Sequence, residues 1–229
     1  MTKLTLKYFP IGGRAEPIRL AAAIGKVAFT NKVYTFPEFG EIKSTLPFGQ
    51  LPVLEIESDD GKKSVITQSS AILRYIGKIG GTYPSDDLEA LQVDEVNGIM
   101  DDLIETLAIT VGGAVRNLLS EKEWTGEEKI AIRQKWMKDT MPKFLDFLEA
   151  KLKESTSGWL VGDSITIADL RVEGNLDWIS SGMLDGIPKT VLDKYPLLKG
   201  HMKKVRDHEE VKAWYSNYIK PYSTFDFEP

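Results

Sequence analysis

Tyr8 closes an alternating segment, Lys3-Leu4-Thr5-Leu6-Lys7-Tyr8-Phe9, and its phenol can donate a hydrogen bond to a reacting atom. Leu46-Pro47-Phe48-Gly49-Gln50-Leu51-Pro52-Val53-Leu54 sets a proline just before an apolar strand start. Thr67-Gln68-Ser69-Ser70-Ala71-Ile72-Leu73-Arg74-Tyr75 opens a helix with a Gln-Ser pair. A helix N-terminus carries N–H groups without intrahelical acceptors and a partial positive charge, which suits a carboxylate. The Ser69 hydroxyl and the Gln68 amide add directional contacts. Ser69 also fits an N-cap, and the two roles are compatible, because a ligand uses the N–H groups that the cap leaves. Together the three segments point to a pocket that holds a small peptide and activates its thiol. A free thiol, with pKa near 8.5, is only about 3% thiolate at pH 7. A phenol O–H donated to sulfur favours the charged form. Lowering that pKa by ~2 units takes ~2.7 kcal/mol, and one charge-assisted hydrogen bond, roughly 1.5–3 kcal/mol, is of that size. The plain alternative for Tyr8 is a ring packed at a strand end with its O–H in water.

The elements needed to position these groups are legible. Lys3 to Phe9 has the period of a half-buried strand, stopped by Pro10 and Gly12-Gly13. Arg14 to Gly25 reads as a helix with Pro17 in its first turn and Ile18, Ala21 and Ala22 facing inward. Val27 to Thr35 is a weaker strand, and Phe36 to Phe48 a loop with at most a helical turn. Val53 to Glu57 and Ser64 to Thr67 form a hairpin around Asp59-Asp60-Gly61, and Ser69 to Gly77 is a helix. This order, β-α-β then β-β-α, is that of a small α/β unit. Lys78 to Ser85 concentrates Gly, Pro and Ser and marks the boundary.

Beyond Asp86 the pattern is helical. Leu88, Leu91, Val96, Ile99, Leu103 and Leu107 mark one long amphipathic helix. Ile130, Trp136, Met137, Phe144, Leu145, Leu148 and Leu152 mark another, with Pro142 as a kink. Thr166 and Asp169 form a capping box with Asp in place of Glu, and Val205 to Ile219 supplies a last helix. The tail from Tyr222 to Pro229 either covers the site or frays.

Composition narrows the function classes. The chain has 229 residues, 42% of them hydrophobic, and a net charge of −5, so it suits one large or two modest soluble domains without a nucleic-acid binder's basic footprint. There is no cysteine, which excludes disulfides, thiolate metal ligation and a cysteine nucleophile. Thr2 to Phe9 has no apolar leader core and no segment nears the roughly 20 apolar residues of a membrane span, so a cytoplasmic location is expected. His201 and His208 lack a metal motif, and neither a P-loop nor a G-x-S-x-G is present.

The chain resembles the cytosolic glutathione S-transferases, and among them the tyrosine-dependent classes. The resemblance runs through Tyr8-Phe9, Gly13-Arg14-Ala15-Glu16-Pro17-Ile18-Arg19, the Gly-Gln-Leu-Pro-Val-Leu segment, Gln68-Ser69 and the Thr166–Asp169 box, in the family's order and spacing. Glu41 to Gly49 is most similar to the sigma class. It implies a thioredoxin-like α/β domain over residues 1–80 that binds glutathione and an all-helical domain over 86–229 with the electrophile pocket. It further implies no metal or redox cofactor, glutathione as co-substrate, a homodimer, and no nucleic-acid or membrane partner.

In this family the proline matching Pro52 is cis, which turns the Leu51 N–H and C=O toward the ligand's cysteinyl backbone. Gln50, Gln68 and Ser69 then hold glutathione, and Tyr8 activates its thiol. Arg14 either supports the thiolate or makes a structural ion pair. Lys43 either binds the glycyl carboxylate or stays solvated. Phe39 stands where many relatives have tryptophan, and lacks the indole donor. The residue matching Asp101 reaches the α-amino group of the partner subunit's glutathione. Ile11, Gly13, Met100, Ile104 and Leu107 line the electrophile pocket or belong to plain core. Phe48 fits an interface anchor. Gly98 and Ile109 depart from the metal-binding and aromatic positions of the prostaglandin D synthases in the sigma class. The alternatives are a glutathione-dependent isomerase or peroxidase of a lipid, or a non-catalytic crystallin-like relative.

Overall fold

The structure, a computed structural model, describes residues 2–108, 110, 111, 124–218 and 221–229, so Ile109 and Ile219 lie outside the described residues. It divides into two units, one of Met1–Ser85 with Arg206–Pro229, the other Asp86–Val205.

The first unit is built on a mixed sheet in the order β4-β3-β1-β2-β5. β1 is Lys3–Tyr8, β2 Phe29–Val33, β3 Val53–Glu57, β4 Lys63–Thr67 and β5 Phe225–Phe227. β1 runs parallel to β2, with Thr5 opposite Thr30, because α1 (Glu16–Ile24) crosses between them. The hairpin β3–β4 continues antiparallel from β1. The alternation in β1 buries Leu4, Leu6 and Tyr8 on one face, so Tyr8 is held by the same period that builds the core. α1 is buried from Glu16 to Ala23, its apolar residues together with Glu16 and Arg19. α3 (Ser69–Gly80) packs against it so closely that Gly25 and Gly80 touch, and a Cβ on Gly25 would lie 2.4 Å from the Gly80 Cα.

Two features of this unit depart from the sequence reading. Phe36–Ile42 is a helix, α2, where a loop was expected. Thr35 and Glu38 form a full capping box, with the Thr35 N–H donating to Glu38 Oε2 at 2.7 Å, and Pro37 in the first turn is compatible with it. The tail does not fray. It returns as β5 along β2, with Phe29 opposite Phe227, and covers an otherwise bare sheet edge. Residues 206–229 therefore belong with the sheet rather than with the helices that precede them.

The second unit is helical among its described residues: α4 (Asp87–Ala108), α5 (Gly126–Asp139), α6 (Met141–Glu154), α7 (Ile167–Ser180) and α8 (Pro196–Asp207), which runs two residues past its edge. Val93, Val96, Met100, Leu103 and Leu107 form the buried stripe of α4. Leu88 and Leu91, expected on that stripe, are 63% and 66% exposed. The helix expected around Pro142 is two helices, because proline lacks an N–H and its ring collides with the carbonyl four residues back. α7 is buried on most of its surface and starts at the predicted box. Asp169 Oδ2 accepts from the Thr166 N–H at 2.8 Å, and Oδ1 from the Leu160 N–H at 2.9 Å, with His201 Nε2 at 2.8 Å. The last predicted helix is also divided. His208 leaves helical geometry between α8 and α9 (Glu209–Asn217), and α9 packs on α1 in the first unit.

Candidate active site

The end of β1 and the loop after it set the chemistry. Tyr8 is 7% exposed. Its Oη accepts the Arg14 backbone N–H at 3.2 Å, so the phenol proton is left to be donated elsewhere. Burial pushes the Tyr8 phenol above its ordinary range, partly opposed by that N–H and by the Arg14 and Arg19 charges. The phenol therefore stays protonated at neutral pH, the form a hydrogen-bond donor needs. Gly13 lies directly against it. Its φ is +46°, and a Cβ would sit 2.8 Å from Tyr8 Oη and 3.2 Å from Cε1. Glycine is required here for both its backbone freedom and its missing side chain. Ile11, two residues before, is exposed.

A second group of residues flanks the strand β3. The Leu51–Pro52 peptide is cis, and Pro52 is buried while Gln50 is exposed. The turns before it, Lys43–Thr45 and Pro47–Gly49, place Gly40, Lys43, Ser44, Leu46 and Gly49 around an open hollow of about 440 Å³. Phe48 is left-handed, with φ +56°, and 83% exposed. Phe39 on α2 does not stand alone. It packs edge-on to Phe9 at 5.2 Å, and Phe9 stacks on Phe36 at 4.9 Å.

The third group is the start of α3. The N-cap is Gln68 rather than Ser69. Gln68 has φ +73° and makes no side-chain cap bond, and Ser69, 6% exposed, is the first helical residue. A glutamine held in this region is costly by about 1–3 kcal/mol and such residues gather at functional sites. The first-turn N–H groups of the helix have no intrahelical acceptor.

In the second unit, Met100 and Leu107 have no exposed surface and Ile104 has 7%. Asp101 is about a third exposed and pairs with Arg171 of α7. No group of His, Asp or Glu among the described residues is arranged to hold a metal ion, and none of their helices is long and apolar enough to cross a membrane.

Sequence reasoning missed a buried polar network beneath the Tyr8 loop. Arg19, with no exposed surface, donates from Nε to Asn31 Oδ1 at 2.8 Å and from Nη1 to the Ile11 carbonyl at 2.9 Å. Its Nη1 lies 3.4 Å from Glu16 Oε2. Burial works against the Arg19 charge and Glu16 supports it. The Tyr222 hydroxyl donates to Glu16 Oε1 at 2.7 Å. Burial and the Glu16 carboxylate push that phenol far above the usual range. One signal was available. Asn31 falls on the inward register of β2 with Phe29 and Val33, where a polar residue needs a partner.

The family model for the glutathione S-transferase N-terminal domain matches residues 4–78, and that for the C-terminal domain matches residues 115–217. Glutathione S-transferase 3 of Caenorhabditis elegans is 32% identical over 215 residues, covering 93% of this chain and 96% of the relative. The structure of prostaglandin synthase D of Nilaparvata lugens has a TM-score of 0.77 at 26% identity, covering 93% and 97% of the two chains. A Fasciola hepatica sigma class glutathione S-transferase has a TM-score of 0.79 at 24% identity, covering 96% and 99%, a likeness of fold alone.

Proposed function

The chain belongs to the glutathione S-transferase family, and from that premise we propose how its own residues carry the reaction. The fold is a thioredoxin-like domain with a mixed sheet followed by a helical domain, and the enzyme uses glutathione as its co-substrate. Tyr8 donates its phenol proton in a hydrogen bond to the glutathione sulfur and stabilises the thiolate. The thiol proton passes to solvent, and the thiolate attacks an apolar electrophile: the sulfur–carbon bond forms as a leaving group departs with its electron pair or, at an activated double bond, as the π pair shifts to the neighbouring atom and takes up a proton. The observation that carries this reading is the Arg14 N–H donated to Tyr8 Oη. It occupies the oxygen's acceptor side and leaves the proton for the ligand. Arg14 adds positive charge beside the developing thiolate.

Leu51, beside cis-Pro52, pairs with the cysteinyl backbone. Ser69 and Gln68 take the γ-glutamyl carboxylate at the start of α3. Gln50, Lys43 and Phe39 bound the glycyl end. Residues 1–80 bind glutathione, with Ile11 and Gly13 beside Tyr8, and the helical domain supplies the electrophile site; Met100 and Leu107 of α4 have no exposed surface and Ile104 almost none, so these three belong to the core and not to a pocket lining. The protein is a sigma-class homodimer acting in the cytoplasm on small hydrophobic electrophiles, as in detoxification. The Glu41–Gly49 segment supports the class, and the exposed Phe48 supports a partner surface. Asp101, steadied by Arg171, reaches the partner subunit's glutathione.

The test is the thiol pKa of bound glutathione, from thiolate absorbance against pH, in the wild type and in Tyr8→Phe. The expected result is a depressed value that returns toward that of free glutathione in the variant. No depression in the wild type, or no saturable binding, overturns the reading. Likeness to a prostaglandin synthase favours one second reading, isomerisation of a lipid by the same thiolate. Turnover of a lipid endoperoxide without consumption of glutathione distinguishes it from conjugation.

A further inference from the structure

The tail is tied to the Tyr8 loop by a buried relay whose members are far apart in sequence. We propose that Tyr222 and Arg19 are positioning residues for Tyr8, so that docking of the C-terminal tail on the sheet sets the acidity of the bound thiol. The proposal rests on the reading that Tyr8 activates that thiol.

The relay begins at the surface. Thr30 on β2 hydrogen-bonds Asp226 on β5, and Thr224 Oγ1 accepts the Val33 N–H at 3.2 Å. Asn31 Nδ2, pointing inward, donates to the Ser223 carbonyl at 2.9 Å. Tyr222 then enters the core, 3% exposed, with Trp214 Nε1 3.2 Å from its hydroxyl. Its ring covers the Arg19 guanidinium at 4.1 Å, and the same guanidinium lies 6.0 Å from the Tyr8 ring centroid. A buried cation is thus held between two tyrosines, one in the tail and one in the site. Arg19 Nη2 has no hydrogen-bond partner among the described residues. The aromatic faces are what the cation has on those sides, and cation–π attraction is strongest where water is excluded.

Arg19 also holds the loop. Its bond to the Ile11 carbonyl and a longer approach to the Gly12 carbonyl, 3.5 Å, fix the backbone that presents Gly13 and the Arg14 N–H to Tyr8. The Gly12 carbonyl also accepts from the Ala15 and Glu16 N–H groups and so anchors the start of α1. Removing the tail's contacts leaves Glu16 and Arg19 short of a partner at one end and the loop less constrained at the other. The network is contiguous, and each link has a hydrogen bond or ring contact that a substitution removes.

Tyr222→Phe keeps the ring over Arg19 and deletes only the hydroxyl. Asp226→Ala removes an exposed side-chain bond that ties β5 to β2. The measurement is the thiol pKa of bound glutathione in the full-length protein, with near-ultraviolet circular dichroism to establish that each variant is folded. The expected result is a rise of about 0.5 unit in Tyr222→Phe and a smaller rise in Asp226→Ala, with the KM for glutathione changed less than the pH profile of kcat. A merely structural role lowers thermal stability and leaves the thiol pKa where it was. That outcome in both variants overturns the proposal. If Tyr222→Phe does not fold, an unchanged pKa in Asp226→Ala overturns it. Absence of depression in the wild type overturns the reading of Tyr8, and the relay with it, and is recognised because Tyr8→Phe then has nothing to restore.

Discussion

Gly13→Ala is the sharpest probe of the site, because its effect follows from two coordinates. The new Cβ would lie 2.8 Å from Tyr8 Oη, and the backbone φ of +46° is one that alanine disfavours. The conformational cost is about 1–2 kcal/mol. A carbon and an oxygen at that distance must separate by several tenths of an ångström, and the phenol is the part that can swing. A displacement of that size takes roughly half of a 1.5–3 kcal/mol charge-assisted bond, or about 0.8–1.5 kcal/mol. At 1.36 kcal/mol per unit, the bound thiol pKa rises by about 0.5–1 unit. If the wild-type value is about 6.5, the thiolate fraction at pH 6.5 falls from about 50% to about 24–9%, whereas at pH 8.5 it stays above about 90%. The assay is conjugation of a chromogenic aromatic electrophile at saturating glutathione across this pH range. The variant is expected to be about two- to five-fold slow at pH 6.5 and close to wild type at pH 8.5. A deficit equal at both pH values, with the thiol pKa unmoved, refutes the reasoning. It would mean that the alanine disturbs packing without touching the group that activates the thiol.

Three further outcomes are expected. Phe39→Trp adds an indole donor one residue before Gly40, which lines the Lys43 hollow, and one added hydrogen bond of about 0.5–1.5 kcal/mol to the glycyl end lowers the KM for glutathione about two- to ten-fold; steady-state kinetics at fixed electrophile check it. Gly25→Ala forces α1 from α3, since its Cβ would meet the Gly80 Cα at 2.4 Å, and overpacking of this kind lowers the unfolding free energy by about 1–3 kcal/mol in a denaturant titration. Asp169→Asn puts a donor where either Thr166 or Leu160 and His201 now find an acceptor, and leaving those buried donors unmet costs about 2–4 kcal/mol, read as a lower thermal midpoint with the thiol pKa of bound glutathione unchanged.

The parts of this protein that the sequence determined are those in which partners are close along the chain. Alternation placed Tyr8 with Leu4 and Leu6 on one buried face. Pro17 and Gly25 bracketed α1. Asp59-Asp60-Gly61 turned the hairpin, and Thr166 with Asp169 started α7. Thr35 and Glu38 start α2 in the same local way, by a capping box that was not recognised in the sequence. The positions of Tyr8, Gln68 and Ser69 were likewise fixed by local rules, because a strand end and a helix start announce themselves within a few residues.

Tertiary structure alone decided the rest. Arg19 and Glu16 have the types of surface residues, and their burial is compensated by groups that folding brings to them, Asn31 on β2 for Arg19 and Tyr222, 206 positions away, for Glu16. The fifth strand needed Thr30 and Asp226 to meet across 196 positions. Leu88 and Leu91 fit the helical stripe of α4 and are nonetheless exposed, because periodicity says which residues share a face and not what that face will meet. A burial pattern read along the chain carries the period of each element. The pairing of buried charges and the covering of a sheet edge depend on segments that only folding brings together.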